Sequence, residues 1–292
     1  MRNVTTVIVT RNDRAALLKT LTHHHPPVIV VDNGSSDGSA QAVVEMFPHV
    51  RVLKLANDWG MQAFNIGARA AQTRYLAFSD DRSWWEKNAL EHAAKMFQDH
   101  PSVGLLAVAS IGLGDRLPDS LTRELEQPAP GSVDTSMPGV PVLGFVDCFC
   151  VVRRQPFLDV GGFDNIAGFG GHEQRLALDM ADAGWAVRFL ADLVVWRPRH
   201  TSIHLQVRQV RDDVSTALMR RPAHIAFYRS IGYLRGGIAG WAGVFRALVR
   251  SPRALRRRRR ISARVEMRAR VYSGTMKSTH EDAELDDEED PS

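Results

Sequence analysis

The chain has 292 residues, 44% of them hydrophobic, enough for one large core or for a core with an appendage. Its opening residues, MRNVTTVIVTRND, lack the charged segment, long apolar run and small-residue cleavage site of an export signal, so a cytoplasmic protein is expected. Cys148 and Cys150, two residues apart on one face of an expected strand, exclude a disulfide framework and supply too few ligands for zinc, which leaves core thiols, while the net charge of +4 hides a basic segment and an acidic tail.

In chain order, apolar β-rich runs alternate with amphipathic stretches. Val4 to Val9, Val28 to Val31, Val50 to Leu55, Tyr75 to Phe78 and Leu105 to Val108 predict strands, and Arg14 to Leu21, Ser36 to Phe47, Met61 to Ala71 and Trp85 to Gln98 predict helices. This pattern predicts an α/β fold of repeated βα units on a mostly parallel sheet. Asp115 to Pro141, rich in Pro, Gly, Asp and Ser, predicts a long surface loop; Val142 to Val152 returns as a strand, and Glu173 to Ala183 as a helix ended by Gly184. The run VIVVDNGSSDG breaks from a buried strand into a polar turn, which places Asp32, Asn33 and Asp37 where open α/β sheets collect ligands. Asp37 reads equally as the cap of the following helix.

Five segments then carry a resemblance: VIVTRND from Val7, VVDNGSSDGS from Val30, GMQAFNIGARAA from Gly60, YLAFSDDRSWW from Tyr75 and VGGFDNIAGFGGHEQRLALDMADAGW from Val160. In order and spacing they resemble the family 2 glycosyltransferases, inverting enzymes of the GT-A fold that use a nucleotide-sugar donor. The resemblance implies Thr10 and Arg11 beside the nucleotide, Asp32 and Asn33 at its base or ribose, and Gly60, Asn65 and Gly67 on a helix packed under it. It implies that Asp80, Asp81 and their neighbour hold the ribose and a divalent cation, Mg²⁺ or Mn²⁺, with Asp81 as ligand.

Relatives commonly read Asp-Asp-Asp-Ser here, whereas this chain has Arg82 at the third place. Either Asp81 takes over coordination, or Arg82 replaces the cation on the diphosphate, or catalysis has faded; a plain salt bridge from Arg82 to Asp80 or Glu86 is the remaining alternative. Trp84 and Trp85 read as a sugar-pocket wall or as core. Gly162, in the Gly161-Gly162-Phe163-Asp164 stretch, is implied on the sugar-binding floor. Glu173 is implied as the base that deprotonates the acceptor hydroxyl, with His172 in the place of its acidic neighbour and able to serve as base instead. His200 is implied as a further metal ligand. His23 to His25 read as a solvated loop, and Arg175 with Asp179 as a surface ion pair.

The expected division is a GT-A domain over residues 1–205, a helical basic and aromatic extension over 206–272 and a disordered acidic tail over 273–292. The apolar runs between Ile225 and Val249 are too short to span a bilayer. With Arg256 to Arg260 they fit a helix lying on an anionic membrane, or else aromatics that cover the domain beside solvated arginines. No specific nucleic acid is expected, because the basic run carries no aromatic platform. Two functions follow: a transferase acting on a lipid-linked, cell-envelope or natural-product hydroxyl, or a nucleotide-sugar-binding protein with a regulatory or scaffold role.

Overall fold

The computed structural model of the protein describes residues 3–127, 136–146, 148–165, 171–198, 203–235 and 237–271. The elements are β1 (Val4–Thr10), α1 (Arg14–Leu21), β2 (Val28–Asp32), α2 (Ser39–Met46), β3 (Arg51–Lys54), α3 (Gln62–Ala70), β4 (Tyr75–Asp80), β5 (Trp84–Trp85), α4 (Ala89–Asp99) and β6 (Val103–Gly112). There follow α5 (Ser120–Glu126), β7 (Val140–Pro141), β8 (Cys150–Arg153), α6 (Arg154–Asp159), α7 (His172–Asp182), β9 (Ala186–Arg197), α8 (Ile203–Arg220), α9 (Ala223–Leu234) and α10 (Gly237–Arg256).

One sheet runs β3-β2-β1-β4-β8-β6-β9-β5, with β7 added beside β9. Its first four strands are parallel and β8 lies antiparallel between β4 and β6, so the sheet is mixed about that strand. The central parallel strands β1, β2 and β4 are buried almost throughout because helices cover both faces, whereas the edge strand β3 exposes Arg51 and Lys54. Ile8, Val28 and Val30 pack on Leu17, Leu21 and Val43 of α1 and α2. Val7 and Val31, one residue out of phase, pack on Ala63, Phe64 and Ala68 of α3. Gly67 sets that approach, since a Cβ there would collide with the Val7 side chain.

Several expected elements differ. Trp84 and Trp85 do not open a helix: they pair antiparallel with Trp196 and Val195 at the sheet edge, and α4 starts only after Asn88 turns the backbone through a φ of 66°. The region 115–141 is not all loop, because Asp119 accepts from the Thr122 N–H and starts α5, whose Thr122 and Leu125 are buried. Among the described residues of 142–152, strand begins only at Cys150, the first residue of β8; Cys148 precedes it, and both thiols are free and buried.

The chain after residue 205 packs on what comes before it. The expected division falls inside α8, and the buried small face of α10 (Gly243 and Ala247) lies against α8. A last helical stretch over 263–271 sets Val265 and Ala269, with Ile261 just before it, on Leu178 of α7. Among the described residues no helix is long and apolar enough to cross a membrane. The acidic tail over 273–292 and His200 lie outside the described residues.

Candidate active site

The carboxyl ends of three parallel strands form the floor, with Thr10 level with Asp32 and Val9 level with Asp80. Buried Asp32 accepts from the Ser35 N–H at 2.8 Å and so fixes the turn after β2. Asn33 is engaged on both sides: its amide donates to Asp58 at 2.8 Å, and its carbonyl oxygen accepts from the Trp59 N–H at 2.8 Å. Arg11 reaches the same Asp58 at 2.6 Å from the exposed rim. Asp58 thus fastens both candidates from the turn before α3. Asp37 accepts from the N–H groups of Arg14, at 2.9 Å, and Ser39, at 3.0 Å, joining the starts of α1 and α2. That is the capping alternative, realised one residue ahead of the cap.

After β4 the chain turns tightly, with the Ser79 and Ser83 hydroxyls 2.7 Å apart. Thr10 donates its hydroxyl to Asp81 at 2.8 Å. Burial first, then the nearby Asp80 and Asp13 carboxylates, push the Asp81 carboxyl up to about 6 against the help of Thr10. The Arg82 guanidinium grips Asp13 through Nε at 2.6 Å and Nη2 at 2.5 Å, while its backbone N–H donates to Asp80. Glu86 accepts from the Trp196 indole at 2.5 Å. Among the described residues no three His, Cys, Asp or Glu side chains form a ready group of metal ligands. The donor chemistry still suits a hard cation, because Asp80 and Asp81 are adjacent carboxylates at a strand end.

Within the histidine loop His24 is buried, whereas His23 and His25 are exposed. His24 Nε2 lies 3.1 Å from the Ser83 carbonyl, and burial lowers it to about 4, so it donates as a neutral ring. His23 stacks on Trp84 with ring centres 4.4 Å apart, Trp85 is core, and both tryptophans border a cavity shared with Leu113 and Trp196.

On the opposite side of the floor, Asn65 of α3 is a clamp. Its amide donates to the Phe163 carbonyl and its oxygen accepts from the Phe163 N–H, both at 2.8 Å. Gly162, with φ of +62°, runs so close that a Cβ would strike the Asn65 oxygen. Asn165 continues the seam, donating to the Trp59 carbonyl at 2.8 Å and accepting from the Gln62 N–H at 3.1 Å. Asn65 and Gly162 therefore shape the site through the backbone.

At the start of α7 Glu173 and His172 are both buried, and His172 Nε2 lies 3.4 Å from the Glu173 carboxylate. The His172 ring meets Phe163 edge-on at 5.1 Å. Burial first, then the nearby Asp80, Cys150 and Glu173, raise the Cys148 thiol well above its usual value. Arg175 and Asp179 form no surface pair: Arg175 is buried, donates to the Gly162 carbonyl and meets Asp179 at 2.5 Å, and Arg220 of α8 holds Asp179 from its other side. Sequence reasoning missed Asp13, Asp58 and Asn165 as organisers. Asp13 and Asp58 border segments already singled out, which was their only signal.

The sequence matches the family model described as Glycosyl transferase family 2 over residues 5–161, more than half of the chain. No curated protein matches it significantly. Among solved structures, the mannosyltransferase PcManGT from Pyrobaculum calidifontis, in complex with GDP-Man and Mn²⁺, matches with a TM-score of 0.61 and 18% identity over 95% of this chain and 80% of that one. S. aureus TarS matches with a TM-score of 0.55 and 17% identity over 78% of this chain and 41% of that one, and TarS 1-349 with 0.57 and 17% over 87% and 81%. The chain thus spans less than half of the longer TarS structure, and at these identities the likeness concerns the fold. The matched span carries the strand ends with Thr10, Asp32, Asp80 and Asp81 and runs into the Gly161 turn, so the chain belongs to glycosyl transferase family 2 and is a glycosyltransferase of the GT-A fold.

Proposed function

We propose that the enzyme is an inverting glycosyltransferase that moves a sugar from a nucleoside-diphosphate donor to an acceptor hydroxyl, with Glu173 as general base. The observation that supports this reading is buried Glu173 in the first turn of α7, behind a turn that Asn65 clamps to α3, the helix packed on the strands whose ends carry Thr10 and Asp32. In the reaction, Glu173 takes the acceptor's hydroxyl proton as that oxygen bonds to the anomeric carbon, and the bond from carbon to the diphosphate oxygen breaks on the opposite face. Thr10, Arg11 and Asp32 line the nucleotide side, and Asn33, Asn65 and Gly162 hold its walls. His172 positions Glu173 through their 3.4 Å contact. Mg²⁺ or Mn²⁺, held by Asp81 with Asp80, would supply the charge that offsets the diphosphate.

The acceptor is a hydroxyl of a lipid-linked, cell-envelope or natural-product molecule, and the arginine-rich carboxyl-terminal helices favour the lipid-linked class. The enzyme is cytoplasmic and works at the inner face of the membrane. A binder with faded catalysis is the second reading, motivated by Arg82 in an acidic position. Turnover of UDP-, GDP- and dTDP-sugars with Mn²⁺, Mg²⁺ or EDTA, in the parent and in Glu173→Gln, separates the two. Expected is metal-dependent nucleotide release that falls about 10²- to 10⁴-fold in Glu173→Gln while donor binding persists. Release that survives EDTA would count against the cation, and tight binding without turnover for every acceptor class would establish the second reading.

A further inference from the structure

Helix α10 is built inside out. Its buried face is made mostly of small residues, Gly240, Gly243, Ala247 and Ala254, with Val244 beside them, and at Gly243 a Cβ would collide with Val210 of α8. Most of its large apolar residues point away from the protein: Ile238 is 83% exposed, Trp241 62%, Phe245 68% and Val249 67%, with Leu248 and Leu255 exposed beside them. Their i, i+3, i+7 and i+11 spacing makes one stripe along the helix. Phe227 and Tyr228 of α9 are also exposed, whereas Ala226 is buried. An ordinary surface helix buries its large apolar residues and exposes its polar ones, and a continuous exposed patch of this kind marks a docking surface.

The charge around the stripe identifies what it meets. Residues 214–265 contain thirteen arginines and no Asp, Glu or Lys. Arg246 and Arg253, seven residues apart, border the stripe on one flank, and Arg235, Arg256, Arg259 and Arg260 stand exposed near its ends. Not all of the basic run is free: Arg258 donates to the Leu218 and Arg221 carbonyls and Arg257 pairs with Asp164 at 2.9 Å. A second copy of the chain across a two-fold axis would bring these arginines against their own equivalents. The tail from His280 to Ser292 is acidic but offers only Ala283 and Leu285 to cover the apolar stripe. An anionic lipid bilayer answers both features, with acyl chains for the stripe and headgroups for the arginines.

We infer that α10, with the start of α9, lies in the plane of an anionic membrane surface and anchors the enzyme there without crossing it. The inference stands apart from the transfer reaction, and its test uses no sugar donor. The full chain would be sedimented with vesicles of phosphatidylcholine alone and of phosphatidylcholine mixed with phosphatidylglycerol, at low and high salt, beside a variant carrying Trp241→Glu and Phe245→Glu. Both positions are exposed, so the variant should keep the parent's circular dichroism and melting temperature. Expected is binding to the anionic vesicles only, weakened by salt and reduced about tenfold or more in the variant. Equal binding by the variant would overturn the inference, because the arginines alone would then hold the surface. A parent that sediments with neither vesicle would overturn it too. So would a parent that is dimeric by light scattering and becomes monomeric on the same substitutions, since a second copy would then cover the stripe.

Discussion

Burial and the neighbouring Asp80 and Asp13 carboxylates raise Asp81 from its ordinary 3.8 to about 6, so the native state binds a proton there more tightly than the unfolded chain does. Below about pH 4 both states are protonated and nothing is lost, whereas above about pH 6 the native state carries a charge that its surroundings resist. Asp81→Asn removes that charge and keeps an acceptor for the Thr10 hydroxyl. Urea unfolding should show the variant more stable than the parent at pH 8 by on the order of 2 kcal/mol, with the gap closing towards pH 4, while donor turnover is lost. A variant no more stable at pH 8 would mean that the charge is already compensated. At this scale the sequence was legible in where residues fall, with Thr10, Asp32 and Asp80 ending their strands and Glu173 in the first turn of a helix. The Arg82 partner was not legible, because Asp13 lies 69 residues away and nothing local marks it.

Among elements, the strands that carry the site were the easiest to read, since β1, β2 and β4 are buried on both faces and so are written in β-branched and apolar residues with charge only at their ends. The two-residue strand β5 and the short helix α5 left no such trace, the first because paired tryptophans also suit a helix start, the second because its buried surface comes from two residues inside a polar stretch. Asn65 was visible as a residue but not as a joint between α3 and the loop before α7, since its partner backbone is 98 residues on. Replacing it with Ala leaves the Phe163 N–H and carbonyl without partners in a buried place. Asn65→Ala should therefore cost on the order of 3 kcal/mol in thermal or urea unfolding, and weaken donor turnover. A variant with parent stability would show that water replaces the amide.

For the whole molecule, the sequence suggested a catalytic domain with a detachable extension, and the packing argues against separating them. Thr216 of α8 donates to the Gly171 carbonyl at 2.9 Å, Arg220 holds Asp179, and Ile261 and Val265 cover Leu178. The expected division follows a change in composition from mixed to arginine-rich, and such a change does not by itself mark a change of body. A chain ending at residue 205 should be insoluble or lack a cooperative melting transition, whereas one ending at residue 271 should melt as the parent does. A soluble, cooperatively melting 1–205 chain would restore the division.

Helix α8 stands between two neighbours of different kind. On one side its Asp212 backbone approaches Gly171 so closely that no side chain fits there, two residues before Glu173; on the other it receives the small face of α10. A shift of α10 would thus be passed by α8 to the start of α7, where the proposed base Glu173 sits. With α10 resting on lipid, the rate at a fixed protein concentration would follow the area of surface offered, and detergent that clears the surface would slow the enzyme even towards an acceptor dissolved in water.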